Sequence, residues 1–483
     1  MMSKPRRLHP ASAILTFFKQ LKDGIFPVIV LFFVNDYKFY FFIGLGVILA
    51  ALIIFSLISW MKYTYRIEEN ELRIEYGLFV KKKRYIPIER IQSINESAGI
   101  IQQLFGLVKL QLETAGGGVE AEAVLTAVTK EEANKINKAL TERKKELVNQ
   151  DEFIETIEEE KEYLTYKIGL NELLVAASTS SGIGVVLSAA FAFFSQFDEL
   201  IPFDDIIDRF AFLSNASITV YAVLVFLAFF IAWILSIVGV CLKFANFTVV
   251  KKEQDLVISR GIFEKHQLTI PLERIQAIKI SENLLRQPLG YSTVHIVSAG
   301  GSAKDQDVSA ILFPLIKKTK IQQMLNEFTP DFSLADSLNS LPKKAKRGYI
   351  LVYTIPFLII SALLSFFLQP WGYLALVTVP LGLLFGLAAF KDAGWAIHGE
   401  QLTLSARTIV KSTFIVKRKR IQVIETRQSF FQRRIDLASI QSSTTSGIGG
   451  THFIVKGVEV KDAGEMFEWY SYENQNMKKT RIN

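Results

Sequence analysis

The chain has 483 residues, too many for one ordinary domain, and half of them are hydrophobic, 38 being Phe. Its formal net charge of +8 would suit nucleic acid in a soluble protein. Here the apolar residues gather in blocks, and the basic residues of membrane proteins collect on the cytoplasmic side, so no nucleic-acid partner is expected. A lone cysteine, Cys241, excludes an internal disulfide and reads as a small buried hydrophobe at the end of an apolar run.

In chain order, Lys4, Arg6 and Arg7 precede an apolar stretch broken by Lys19, Gln20, Lys22 and Asp23, which makes a poor signal peptide. A bilayer core about 30 Å thick needs about 20 apolar helical residues. Phe39–Trp60, Leu173–Phe194, Ile218–Leu242, Tyr349–Leu368 and Trp371–Phe390 approach that length without Asp, Glu, Lys or Arg. Gly24–Val34 is about half as long, so the first span is short, tilted or extended upstream past Lys19 and Lys22. The expected fold is α-helical transmembrane, six spans as three hairpins, each followed by a hydrophilic domain. The boundaries are hairpins at 11–61, 163–245 and 345–391, and domains at 62–149, 246–330 and 392–475.

Three segments then lie on the far side: Asn35–Lys38, Ser195–Ser217 and Gln369–Pro370. Of 55 Lys and Arg they hold only Lys38 and Arg209, against six acidic residues. The positive-inside rule places both termini and all three domains in the cytoplasm, in a multi-pass protein of the cell membrane. Within 195–217, Phe203, Ile206, Ile207, Phe210 and Leu213 share one helical face opposite Asp204, Asp205, Asp208 and Arg209, which suits an interfacial helix or a plain helical cap.

Self-similarity organises the domains. Gly77-Leu-Phe, Ile86-Pro-Ile-Glu-Arg-Ile-Gln92, Gln103-Leu-Phe-Gly106 and Thr114-Ala-Gly-Gly117 return as Gly261-Ile-Phe, Ile270-Pro-Leu-Glu-Arg-Ile-Gln276, Gln287-Pro-Leu-Gly290 and Ser298-Ala-Gly-Gly301, each shifted by 184 without a gap. A third copy, shifted by 330, keeps Arg420-Ile-Gln422 and sets Trp395, Leu402 and Leu404 at the places of Tyr65, Leu72 and Ile74. It has Arg407 for the first glycine, Lys417 for the proline and Asp436 for the later glycine. In the first copy, Arg66–Tyr76, Lys83–Ile94 and Leu107–Thr114 read as strands and Ala98–Leu104 as a short helix. Closing helices are expected over Lys130–Lys145 and Leu315–Phe328. Such an α+β unit suggests an antiparallel half-open barrel plugged by its C-terminal helix.

These residues resemble the bacterial pleckstrin-homology (PH) domain family of type 2. The chain as a whole, over residues 10–475, is similar to three-unit membrane proteins of Gram-positive bacteria. The resemblance implies a PH-like fold for each domain and a plasma-membrane setting. It also implies a smaller partner of the same family with one hairpin, and a link to antimicrobial-peptide (bacteriocin) resistance. It brings no enzymatic activity.

The residues themselves offer little chemistry. His9, His266, His295, His398 and His452 show no paired ligand spacing, so no metal or cofactor is expected. Gly447-Ile-Gly-Gly450 reads as a turn rather than a phosphate loop. Carriers need ionisable residues inside their spans, and these have none, although Pro27, Pro356 and Pro380 could break helices. Gly382 and Gly386 permit close helix packing. The basic runs Lys81-Lys82-Lys83-Arg84 and Lys417-Arg418-Lys419-Arg420 are candidate contacts for anionic headgroups or a partner. Pro87, Glu89, Arg90, Gln92, Pro271, Glu273, Arg274, Gln276, Arg420 and Gln422 form the repeated motif. On one continuous strand, Arg and Gln two apart share a face, which suits a structural role. The expected function is a non-enzymatic scaffold for protein or lipid interaction. An exporter or channel regulated by its PH-like domains is the alternative, and a direct lipid sensor is a third.

Overall fold

The computed structural model describes residues 5–34, 38–68, 71–78, 80–114, 123–137, 163–180, 184, 186–188, 217–298, 309–445 and 450–471. Among the described residues each repeat supplies seven strands. The first repeat has β1 (Arg6–Arg7), β2 (Thr64–Glu68), β3 (Glu71–Tyr76), β4 (Lys82–Pro87), β5 (Ile91–Ala98), β6 (Leu107–Thr114) and β7 (Ala123–Thr129). The second has β8 (Leu164–Lys167), β9 (Thr248–Lys252), β10 (Asp255–Arg260), β11 (Lys265–Pro271), β12 (Ile275–Glu282), β13 (Tyr291–Ser298) and β14 (Ser309–Lys317). The third has β15 (Asn339–Ser340), β16 (Gly394–His398), β17 (Gln401–Arg407), β18 (Lys411–Lys417), β19 (Ile421–Arg427), β20 (Leu437–Thr444) and β21 (Thr451–Glu459). Four antiparallel sheets result, ordered β1-β2-β3-β4, β7-β6-β5-β11-β10-β9-β8, β14-β13-β12-β18-β17-β16-β15 and β19-β20-β21.

In every repeat the first strand precedes the hydrophobic stretch, the second follows it, and the two pair. Arg6 faces Tyr65, Lys167 faces Thr248, and Ser340 faces Gly394. The chain therefore leaves a sheet, runs through its apolar residues and returns one strand over. The short polar first strands carry no sequence signal.

Among the described residues, four helices are long and apolar enough to cross a membrane: Phe41–Lys62, Thr219–Phe244, Lys343–Phe367 and Trp371–Asp392. The doubtful first arm is one continuous helix, Ala11–Val34, running through Lys19, Lys22 and Asp23. Its opening turn packs on the first domain, with Ala11 buried against Leu107 and Ala127, and Ser12 Oγ lies 3.0 Å from Thr126 Oγ1. Only the start of Leu173–Phe194 is described in full, within the helix Leu170–Ser178, and the 195–217 loop lies outside the described residues except Ser217. Cys241 is half-buried on its helix rather than enclosed. In the last hairpin the glycine spacing acts as expected. A Cβ on Gly382 or Gly386 would come within 2.8 Å of Phe357 Cδ2 or Ile350 Cα, so the helices touch along that stripe.

Two compact units divide the chain, one holding the first repeat and the second repeat's strands as far as Thr269, the other running onward from Ile270. In the first unit, Tyr65, Ile67, Leu72, Ile74, Leu110, Leu112 and Leu125 form a core closed by the helix at 130–137 through Ala133 and Ile136. The intervening Arg66, Glu68 and Arg73 point outward and pair, with Arg73 Nη1 2.6 Å from Glu68 Oε2. In the second unit, Trp395, Leu402, Leu404, Phe414, Ile440, Val455 and Met466 form the corresponding core. Each fully buried Leu or Ile contributes about 1.5–3 kcal/mol.

Three expected elements change. Arg66–Tyr76 is a hairpin rather than one strand, because the alternation continues across a polar turn and the pairing sets Ile67 opposite Leu72. Lys83–Ile94 is interrupted by a 3-10 turn, Ile88–Arg90, since Pro87 holds φ at −60° and offers no N–H to the ladder. The second closing helix starts at Lys318, because residues through Lys317 still belong to β14. In the first, residues 130–137 are helical and 138–145 lie outside the described residues, as do residues 447–449 of the Gly447–Gly450 turn.

The third repeat's departures have separate reasons. Gly77 and Gly261 sit at φ +115° and +96°, where a Cβ would strike the carbonyl oxygen of Val80 or Glu264 at 2.0 or 2.1 Å. Gly106 and Gly290, at φ +64° and +71°, have open space around them, and Asp436 keeps the same left-handed turn at φ +52°. Gly261→Ala is expected to lower the thermal unfolding midpoint of the detergent-solubilised chain, by about 1–3 kcal/mol in stability. Gly290→Asp should stay within about 1 kcal/mol of the parent. Equal effects would show that backbone strain is not the cause.

Candidate functional site

The repeated landmarks meet at seams between consecutive repeats. In the first unit β5 pairs with β11, Ala98 facing Lys265 and Ile94 facing Thr269. In the second unit β12 pairs with β18, Glu282 facing Lys411 and Ile278 facing Ile415. Converted by the repeat spacing, these are the same residue pairs, so both seams have one register. Gln103 Nε2 reaches across its seam to the carbonyl oxygens of Ile262 (3.1 Å) and Phe263 (2.7 Å). At the equivalent place Gln287 Oε1 accepts from Arg407 Nη2, and Arg420 Nη2 donates to the Glu273 carbonyl. The Gly-[Leu/Ile]-Phe turn and the Gln-x-x-Gly segment are thus two halves of one joint.

The Ile-Pro-x-Glu-Arg motif forms the corner leading into each seam. Pro87 and Pro271 open 3-10 turns ending at Arg90 and Arg274, and the third repeat builds the same turn over Arg418–Arg420 without a proline. Because the Arg closes a turn, it does not share a strand face with the Gln two residues on. Glu89 and Arg90 are exposed, and Gln92 lies in β5. Arg274 Nε stays 3.9 Å from Glu273 Oε1, while Gln276 is buried with its amide donating to the Arg274 carbonyl at 3.0 Å. Gln422, on β19, is exposed.

The two basic runs are unlike each other. Lys81 Nζ lies 2.7 Å from Glu75 Oε2, holding that carboxyl below its usual pKa, with Lys83 at 3.9 Å. Lys82 is exposed, and the exposed Arg84 guanidinium lies over the Tyr76 ring. In the third repeat, Lys417 binds Asp331 at 2.7 Å and covers the Phe332 ring. Arg418 is only 3% exposed and donates to the carbonyls of Tyr470 (3.3 Å) and Ser471 (3.1 Å), anchoring the end of the closing helix Val460–Tyr470. Lys419 alone of those three is exposed. A charge count cannot separate these side chains, because strand and 3-10 geometry turn neighbours in opposite directions.

Beside the seams, each repeat exposes apolar side chains on the segment after its fifth strand, built on a short helix in the first and third repeats and on turns in the second: Ile100, Leu104 and Phe105, then Leu284, Leu285 and Leu289, then Phe430, Phe431 and Ile435. Leu104 is 81% exposed. In the first unit this tip is tied through Gln103 to the turn at Gly261, whose N–H donates to the Ala245 carbonyl just past the helix Ile218–Phe244, while Arg260 covers Phe244. In the second unit Gln287 meets Arg407, which binds Asp392 at 2.5 Å at the end of the helix Thr378–Asp392, and its carbonyl accepts from Tyr353 Oη at 2.6 Å. Both tips lie level with the ends of hydrophobic helices. Sequence reasoning missed Arg407 and Asp392 as a pair; the apolar doublets beside Gln103 and Gln287 were a readable signal.

Comparison with known proteins agrees with this repeat. The family described as "Bacterial PH domain" matches residues 26–144, 205–329 and 350–474. The chain belongs to the bacterial PH domain family. It is also 48% identical over 489 residues to the UPF0699 transmembrane protein YdbT of Bacillus subtilis strain 168, covering 98% of this chain and 99% of that protein. Among the described residues no group of three His, Cys, Asp or Glu side chains is placed to hold a metal ion. What the bacterial PH repeats bring together is seams, edges and apolar tips.

Arg407 has its side chain 2% exposed, so its loss strands Asp392 with Lys411 at 3.4 Å as its remaining cation. Arg407→Leu is expected to cost about 3–5 kcal/mol, read from thermal unfolding of the full chain in detergent. Adding Asp392→Leu should recover part of that loss. No recovery would mean that Arg407 acts through packing rather than charge.

Proposed function

We propose that this chain is a non-enzymatic membrane scaffold, in which three two-helix hairpins present three PH-like domains along the cytoplasmic face. The observation that carries the reading is the pairing of each repeat's first and second strands, which brings both ends of each hydrophobic stretch to one domain. Positive-inside charge supports the cytoplasmic placement, and a reporter fused after residue 149 is expected inside the cell.

The apolar tips enter the headgroup region of the inner leaflet, and Lys81–Arg84 meets anionic headgroups. Basic residues near that surface contribute about 1 kcal/mol each, falling off over about a Debye length. Partners are an inner-leaflet lipid surface and a smaller member of the family with one hairpin. The physiological role is envelope defence, which deletion would test: unchanged sensitivity to membrane-active bacteriocins removes it.

The lipid contact is checked with full-length protein in nanodiscs. In a Cys241→Ser background, an environment-sensitive fluorophore is placed at Leu104→Cys, Leu285→Cys or Phe431→Cys. Brominated lipid should quench all three, and should spare a label at Lys461→Cys. Changing Lys81, Lys82, Lys83 and Arg84 to Gln should reduce quenching at Leu104→Cys more in anionic than in zwitterionic discs. Equal quenching at Leu104→Cys and Lys461→Cys would refute the apolar rim.

A further inference from the structure

Each seam joins the fifth strand of one repeat to the fourth strand of the next. Three repeats provide three strands of each kind and use two. Among the described residues, β4 is left as the outermost strand of its sheet in the first unit, and β19 as the outermost strand of its own in the second. We infer that β4 and β19 are the two halves of a third seam, formed between copies of this chain, in which β19 of one copy pairs antiparallel with β4 of the next.

Exposure follows this assignment. Ala277, inside a seam, is fully buried, whereas the equivalent Val423 on β19 is 52% exposed. Phe414 and Ile415 on β18 are buried, whereas the equivalent β4 residues Arg84 and Tyr85 are exposed. The Gly77 turn beside β4 keeps the left-handed glycine of its equivalent at Gly261, the turn that receives Gln103 in the first seam. A long exposed strand edge is a pairing template, and a protein that leaves one open either protects or uses it.

The register is fixed by the two existing seams. Carried over, it sets Lys81 opposite Gln428, Lys82 opposite Arg427, Lys83 opposite Thr426, Arg84 opposite Glu425 and Tyr85 opposite Ile424. One pair is oppositely charged and one is apolar. The like-charged Lys82–Arg427 pair is softened because Arg427 is bound to Glu425 at 2.6 and 2.8 Å. At the place of the seam residues Gln103 and Gln287 the third repeat has Arg433, an N–H donor as Gln103 Nε2 is in the first seam. Without a covalent tether between its halves, this seam relies on backbone pairing and on high density in the membrane. Since β4 meets β19 and not another β4, the contact is head-to-tail, and copies add in a row or close into a ring.

Cysteine cross-linking in native membranes tests this, with Cys241→Ala as background. Lys83→Cys/Thr426→Cys and Lys82→Cys/Arg427→Cys put thiols directly opposite, while Lys83→Cys/Val423→Cys offsets them by three residues, about 10 Å. His266→Cys/Ser97→Cys, opposite each other inside the first seam, gives the intramolecular positive control. Mild oxidation is expected to convert an in-register pair into a ladder of dimers, trimers and larger species, about tenfold over the offset pair, as the thiols lie within disulfide reach only in register. The idea is overturned if neither in-register pair gives a ladder while the control closes, whether the thiols label freely with maleimide or are shielded by another protein. A ladder equally strong from the offset pair overturns it too, since that reports collision rather than pairing. The result is independent of the lipid reading, which the fluorophore positions test separately.

Discussion

The antiparallel pairing of one repeat's fifth strand with the next repeat's fourth is the interaction on which this architecture depends. Alone, each bacterial PH repeat presents two open strand edges, which water satisfies at the cost of leaving a template for misassembly. Pairing them turns separate small sheets into seven-stranded ones, β7 through β8 and β14 through β15, and in the second seam it also buries Ala277 and Val297 in one cluster with Phe414 and Val416. The gain is mainly backbone hydrogen bonding, modest per bond at roughly 1 kcal/mol but repeated along five or six residues. The seam therefore tolerates wide variation in its side chains: Leu268 opposite Asn95 in one, Phe414 opposite Lys279 in the other.

That tolerance explains why the third repeat diverges without losing its place. Where the first two repeats use glycine for a sharp turn, the third has Arg407, which reaches both the preceding repeat through Gln287 and its own hairpin through Asp392. A strained turn has been replaced by a buried ion pair serving the same joint. Its stability is exchanged for dependence on one charge, because removing either member leaves the other in a low-dielectric site. Arg407 thus ties strand seam and helix end together through its side chain, and Tyr353 through its carbonyl.

Much of this was legible in the sequence. The 184-residue spacing gave the repeat, the apolar runs gave the four long apolar helices, and Leu107–Thr114 was a strand to the residue. What stayed hidden is of three physical kinds. Two-residue strands such as Arg6–Arg7 and Asn339–Ser340 have no period to detect, because their pairing is set by where the hairpin returns. Side-chain direction within Lys417–Arg420 depends on a 3-10 turn that composition does not encode, and Arg418 therefore reads as surface charge while lying buried under the closing helix. The seams themselves were invisible, since a strand paired within its own domain and one paired with a neighbour look alike. Only the odd recurrence of Gln103 with Gln287, and of a glycine turn 158 residues downstream of the first, at Gly261, hinted that the two motifs are partners.

Covalent order supplies what the seams lack in affinity. Within the chain, the fourth strand of each following repeat is held near its partner by the hairpin between them, so the pairing is intramolecular and a weak ladder suffices. Between chains no such tether exists, but in the proposed scaffold the membrane confines each copy to a plane with its strands on one side. Restricting partners to two dimensions and one orientation removes much of the translational and rotational cost that a seam of backbone bonds could not meet in solution.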